Sequence, residues 1–133
     1  MRTAPLPHLP VEHGRGCTVV RFPAQIDLAD APGICDRLLR LLNTGVPALV
    51  LDLTGTRFCG ASGVNVIVRT HLRAKALTTP LVLAVPETGS VRRVFEITEV
   101  SELVPTASDL AAACELACTR RTAGSLSAAQ ESS

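Results

Sequence analysis

The segment Gly60-Ala61-Ser62-Gly63-Val64 is where this sequence comes nearest to covalent chemistry. It holds most of a Gly-x-Ser-x-Gly nucleophile elbow, in which a serine on a strand-to-helix turn attacks an acyl group. Val64 stands where the last glycine belongs, and such a serine also needs a base within hydrogen-bond reach. His71 falls about two turns further along the same predicted helix, while His8 and His13 lie in the N-terminal arm. A serine hydrolase is therefore a minor reading, and no catalytic residue is assigned. A phosphate cradle of the Gly-x4-Gly-Lys-Ser/Thr type fares no better, because the one lysine, Lys75, lies well past the loop. Five cysteines, Cys17, Cys35, Cys59, Cys114 and Cys118, are odd in number and irregular in spacing, with no export signal. They read as free thiols. Cys114 and Cys118 share a helix face as two metal ligands could, but no histidine stands at ligand spacing around them, so neither metal nor cofactor is expected.

Composition removes further classes. The 133 residues are 47% apolar and 19% charged, enough for one core and too apolar for a disordered chain. Thirteen basic against twelve acidic side chains give a net charge of +1, without the basic excess that phosphate-backbone binding requires. Phe22, Phe58 and Phe95 are the only aromatics, which leaves few rings for stacking bases or sugars. Nucleic acid is not an expected partner. No run reaches the ~18 apolar residues of a membrane span, and Met1 to Pro10 hold three prolines in place of an apolar signal core. A cytoplasmic protein without a membrane partner is the expectation.

The elements that would position the loop follow from periodicity. Cys17 to Phe22 is short, β-branched and stopped by Pro23, a strand. Ile34, Leu38, Leu41 and Leu42 form a helical stripe closed by Gly45 and Pro47, with Pro32 tolerated in the first turn. Ala48 to Leu53 is a near-continuous apolar run, the pattern of a central strand covered on both faces. Beyond the loop, Val64, Ile67, Val68 and Leu72 fit one helical face, and Asn65, Arg69 and Arg73 form a polar stripe. Val64, Val66 and Val68 also alternate as a strand would, but the helix formers of 69–76 decide for a helix. Leu81 to Val85 predicts a second buried strand, Val91, Val94 and Phe95 a short helix begun near Ser90, and Leu103-Val104 a brief strand. Thr106 to Asp109 resembles a capping box ahead of a Leu110, Ala113, Cys114, Ala117 helix. Residues 1–16 are expected as a flexible arm, 17–118 as the folded domain, and 119–133 as a disordered tail. The alternation predicts an α/β fold: a mixed, partly parallel sheet with about four helices packed on it.

In such sheets ligands and partners gather beyond the carboxyl ends of the strands, which directs attention to the loop after Leu53. There the chain resembles the STAS domain, and within it the bacterial anti-sigma factor antagonists. The resemblance rests on Leu51-Asp52-Leu53-Thr54-Gly55, Phe58, Ser62-Gly63-Val64 and Val91-Arg92-Arg93-Val94-Phe95-Glu96-Ile97-Thr98, with Ala24-Gln25-Ile26-Asp27-Leu28 before the first helix. It runs from about Cys17 to Cys118, and the order and spacing of these short motifs carry it. It implies a non-enzymatic protein that binds an anti-sigma factor, often a serine kinase, and so releases a sigma factor to join RNA polymerase. It also implies a loop reading Asp-Ser-Ser/Thr-Gly whose first hydroxyl residue is phosphorylated to free the partner.

This sequence departs from that pattern: Gly60 stands at the Asp position and Ala61 at the phosphoacceptor position, without an oxygen to modify. A phosphoryl group would add about −1.5 to −2 charges at the centre of a contact surface and disrupt it. Ser62 is either a substitute acceptor or a helix cap, and its place at the expected helix start favours the cap. The implied partner surface comprises Gln25, Asp27, Cys59, Gly60, Ala61, Ser62, Asn65, Arg69 and Arg73. Small residues let a partner approach closely, and arginines pair with carboxylates. Asp27 has a second reading, as a charge at the N-terminus of the first helix. The alternative function is a STAS interaction module in a sensory or signalling complex without sigma-factor control, and homodimerisation is open to either.

Overall fold

The structure is a computed structural model that describes residues 9–14 and 16–132, with side chains to residue 122. Five strands form the main sheet: β1 (Val11–His13), β2 (Thr18–Arg21), β4 (Leu49–Asp52), β6 (Leu81–Ala84) and β7 (Thr106–Ala107), in the order β1-β2-β4-β6-β7. β1 runs antiparallel to β2, and the other pairings are parallel, with Thr18 opposite Leu49 and Leu49 opposite Leu81. A small second sheet pairs β3 (Gln25–Ile26) with β5 (Phe58–Cys59) in parallel. The helices are α1 (Ala31–Asn43), α2 (Ala61–Ala76), α3 (Ser90–Ile97), α4 (Val100–Leu103) and α5 (Leu110–Ser132). The expected α/β architecture is present, with one helix more than the sequence suggests.

All four residues of β4 and all four of β6 are buried, as their unbroken apolar runs require. Their side chains alternate between two layers. Leu49, Leu51, Leu81 and Leu83 enter the larger core with Ile34, Leu38 and Leu42 of α1, Ile67 of α2, and Phe95. Ala48, Val50, Val82 and Ala84 face the other way and meet Ala113 and Ala117 of α5. The buried residues of the helix itself are thus alanines, seated on alanines and valines of the sheet.

Four expectations change. Val11–His13 of the arm is strand β1, since the backbone groups of β2's outer edge need partners; residues 1–8 and 15 lie outside the described residues. In place of a strand at Leu103-Val104, Val100–Leu103 is helical, entered through Glu99 in a left-handed conformation, and the edge strand follows at Thr106. No capping box forms, because Thr106 is already committed to β7; Asp109 is the cap, its Oδ1 accepting the Ala112 N–H at 2.8 Å. Where a disordered tail is expected from Thr119, α5 continues helical to Ser132.

The inner face of α2 also differs. Gly63, Val66, Ile67, Thr70 and Ala74 are buried, Val64 and Val68 are half-buried, and Leu72 is 60% exposed. Small residues on that face let the helix lie close to its neighbours, and a count of large apolar positions cannot see them. Thr70 is tolerated there because its hydroxyl donates to the Val66 carbonyl at 2.7 Å.

Phe95 has no exposed surface and joins α3 to the larger core. Phe95→Ala is expected to lower unfolding stability by about 3–5 kcal/mol, a large part of what a domain of this size possesses. Denaturant titration followed by circular dichroism measures it, since the chain has no Trp or Tyr.

Candidate functional site

The loop between β4 and α2 leaves the sheet at Asp52, whose carboxylate is buried and fully engaged. Asp52 Oδ1 accepts from the Thr54 backbone N–H at 3.0 Å and from the Thr54 hydroxyl at 2.6 Å, and Oδ2 lies 3.8 Å from Arg21 Nε. This pins the first turn of the loop to the end of the sheet. The next residues are laced to the segment before α1: Thr56 Oγ1 donates to the Pro23 carbonyl at 2.9 Å, and the Arg57 and Phe58 N–H groups both donate to the Ala24 carbonyl. On the other flank, Ser90 Oγ at the start of α3 donates to the Arg57 carbonyl at 2.6 Å. Three separate parts of the chain thus hold the loop in one shape.

Pairing of β3 with β5 sorts the side chains at this end of the molecule. Ile26 and Cys59 point inward and are 1% exposed, whereas their strand neighbours Gln25 and Phe58 point out, Phe58 to 55%. Burial pushes the Cys59 thiol up to about 11, so it stays protonated at neutral pH and is a poor nucleophile. Gly63 sits directly above it: a Cβ there would press on Cys59 Sγ and come within 3.3 Å of Ile26 Cδ1. Absence of a side chain at 63 therefore lets the first turn of α2 settle onto the small sheet.

The expected surface residues fall into three groups. Gln25, Asp27, Ala61, Asn65 and Arg69 are exposed, and Gly60 and Ser62 are half-buried at the start of α2. Arg73 is exposed but occupied, donating through Nε and Nη2 to Asn43 Oδ1 at 3.0 and 2.7 Å and so tying α2 to the end of α1. Cys59 offers no side chain to a partner; it supports the loop from below. Ser62 is not the cap that its position suggests. The helix begins two residues earlier than that cap would place it, at Ala61, with extended Gly60 at the N-cap and no side-chain cap hydrogen bond. Asp27 does not cap α1 either: Asp30 is the N-cap, and the Asp27 carbonyl accepts the Asp30 and Ala31 N–H groups in the turn before it.

Phe58 was legible as a loop residue but not as an exposed one; the signal lies in its alternation with buried Cys59 across a strand only two residues long. Leu28, 80% exposed in the turn after β3, and Ile97, 73% exposed at the end of α3, add apolar surface. Ser62 has no basic neighbour in His71, which is nine residues further along α2, about 13 Å at the helical rise. His13 is engaged with Thr18 Oγ1 at 3.1 Å. Elsewhere Cys17 meets Cys114 and Cys118, and burial followed by the Cys114 thiol pushes it up to about 12. No group of three or more His, Cys, Asp or Glu among the described residues could hold a metal ion, and none of their helices is long and apolar enough to cross a membrane.

The STAS domain model matches residues 8–113. No curated protein matches the chain. Among solved structures, an anti-sigma factor antagonist from Mycobacterium paratuberculosis is 26% identical and superposes with a TM-score of 0.71 over 87% of this chain and 98% of its own. An anti-sigma-factor antagonist (STAS) domain protein from Planctomyces limnophilus is 24% identical, with a TM-score of 0.69 over 79% of this chain and 93% of that one. The phosphorylated Bacillus cell fate determinant SpoIIAA is 17% identical, with a TM-score of 0.63 over 82% and 99%. At their identities the last two speak for the fold alone.

Because position 63 and the Cys59 sulfur compete for one space, Gly63→Ala is expected to cost about 1–3 kcal/mol by overpacking. Adding Cys59→Ala should recover part of that loss, and a double-mutant cycle by denaturant unfolding reads the coupling.

Proposed function

The chain belongs to the STAS domain family, and on that premise we propose that it is an anti-sigma factor antagonist. In this reading it binds an anti-sigma factor of the serine-kinase type and releases a sigma factor, regulating transcription by partner switching in the cytoplasm. The 26% identical mycobacterial antagonist, which this chain covers almost end to end, supports the class. The observation that carries the reading is the loop itself: a turn held by hydrogen bonds from three segments, presenting Gly60, Ala61 and Phe58 beside the exposed Asn65 and Arg69. A preformed surface loses little entropy on docking, and aromatic and arginine side chains are enriched at interface centres.

Ala61 gives the proposal its particular form. It is exposed at the start of α2, where a serine would be open to a kinase, and its methyl group accepts no phosphate. Partner release therefore depends on something other than modification at 61, such as the abundance of the competing sigma factor. Ser62 shares the helix face of Asn65 and Arg69 but is half-buried, a poorer presentation to a kinase active site than position 61. The proposed activity is binding and not catalysis: among the described histidines His71 is about two turns from Ser62 and His13 is engaged with Thr18, and Cys59 is held protonated beneath the loop.

Incubation with the cognate kinase and ATP should leave the intact mass unchanged, and a phosphate mapped to Ser62 would refute the switchless form of the proposal. Calorimetry with the anti-sigma factor tests the surface. Phe58→Ala should weaken binding by roughly tenfold or more and Arg69→Ala by less, while both keep unfolding stability within about 0.5 kcal/mol of wild type. Undiminished binding by stable Phe58→Ala would remove this loop from the interface.

A further inference from the structure

The opposite end of the sheet carries a second feature that the loop reading does not use. Where the polypeptide enters β6, an open cleft of about 520 Å³ lies between the end of α2, the single turn of α4 and the middle of α5. Its volume is in the range that small organic ligands occupy. His71 and Lys75, one turn apart on α2, line one wall, Arg120 of α5 lines another, and Glu102 of α4 completes the rim. The floor is apolar, with Leu81 and its neighbouring prolines, and Leu103 stands 47% exposed at the edge. The two ion pairs among the described residues, Arg21–Asp52 and Arg40–Asp36, are elsewhere, so Lys75 and Arg120 face the cleft without a carboxylate partner.

We infer that this cleft binds a small phosphate monoester with an apolar body, its phosphate between Lys75 and Arg120 and its body on the floor beside Leu81 and Leu103. A guanidinium and an ammonium from two helices supply the charge-assisted hydrogen bonds a dianion requires. Thr79, half-buried in the lining, adds a hydroxyl that is not spent on the backbone, unlike that of Thr78, which donates to the Leu77 carbonyl. His71 serves as the reporter. Burial and the Lys75 charge hold its imidazole below the ordinary range, so it is neutral in the free protein, and a dianion at Lys75 favours its protonation. Of the other titratable groups lining the cleft, Arg120 opposes protonation of His71 and Glu102 favours it. Glu102 also repels the phosphate, so the site is tuned below its full affinity.

Titration of the full chain with phenyl phosphate, followed by the His71 ring resonances in NMR, tests this. A saturable shift is expected, with an upward move of the His71 titration midpoint and weaker binding of inorganic phosphate. Lys75→Gln or Arg120→Gln should weaken binding roughly tenfold, and Glu102→Gln should strengthen it; all three positions are exposed, so the variants should fold. No saturable shift, a shift that survives both cation replacements, or an equal response to benzyl alcohol would overturn the site. Inorganic phosphate binding as tightly as phenyl phosphate would overturn the apolar half of the assignment. Anti-sigma factor binding at the far loop is read separately, so failure of either proposal leaves the other standing.

Discussion

A chain that leaves a sheet at Asp52 and re-enters regular structure at Ala61 must find partners for its backbone groups within a few residues. Here they come from the Asp52–Thr54 turn, from the carbonyls of Pro23 and Ala24, and from Ser90. The exposed face depends on this internal bracing, because it frees Phe58, Ala61 and Arg69 from structural duty. Arg73, on the same stripe, shows the contrast: engaged by Asn43, it belongs to the scaffold.

The sheet was legible because its central strands are covered on both faces. Ala48 to Leu53 and Leu81 to Val85 could be placed from apolar runs alone, and every residue of both runs is buried. What escaped was governed by small or isolated residues. The inner face of α2 is set by Gly63, Thr70 and Ala74, which carry little hydrophobic signal. Edge strands β1 and β7 are two or three residues long and are formed by what their neighbours need, not by their own composition.

Ser62 is instructive about the site. Its residue type and position predict a cap, yet the helix starts earlier because Gly60 takes the N-cap in an extended conformation, its carbonyl accepting from Val64. Local propensity yields here to the fit of the first turn against Cys59 and Ile26. The exposed surface at Gln25 and Phe58 was half visible: the segments carrying it were identified by resemblance, but only their pairing decides which side chains turn outward.

The main sheet is covered unequally, with leucines, isoleucines and Phe95 on one side and chiefly alanines and valines on the other. The two sides therefore fail in opposite ways. Under α1 and α2, harm comes from removal, since a shortened side chain leaves a void. On the buried face of α5 the side chains are already minimal, and harm comes from addition: one larger residue at Ala113 or Ala117 would lift the helix off its seat. Sequence drift in this protein is thus bounded from below on one side and from above on the other.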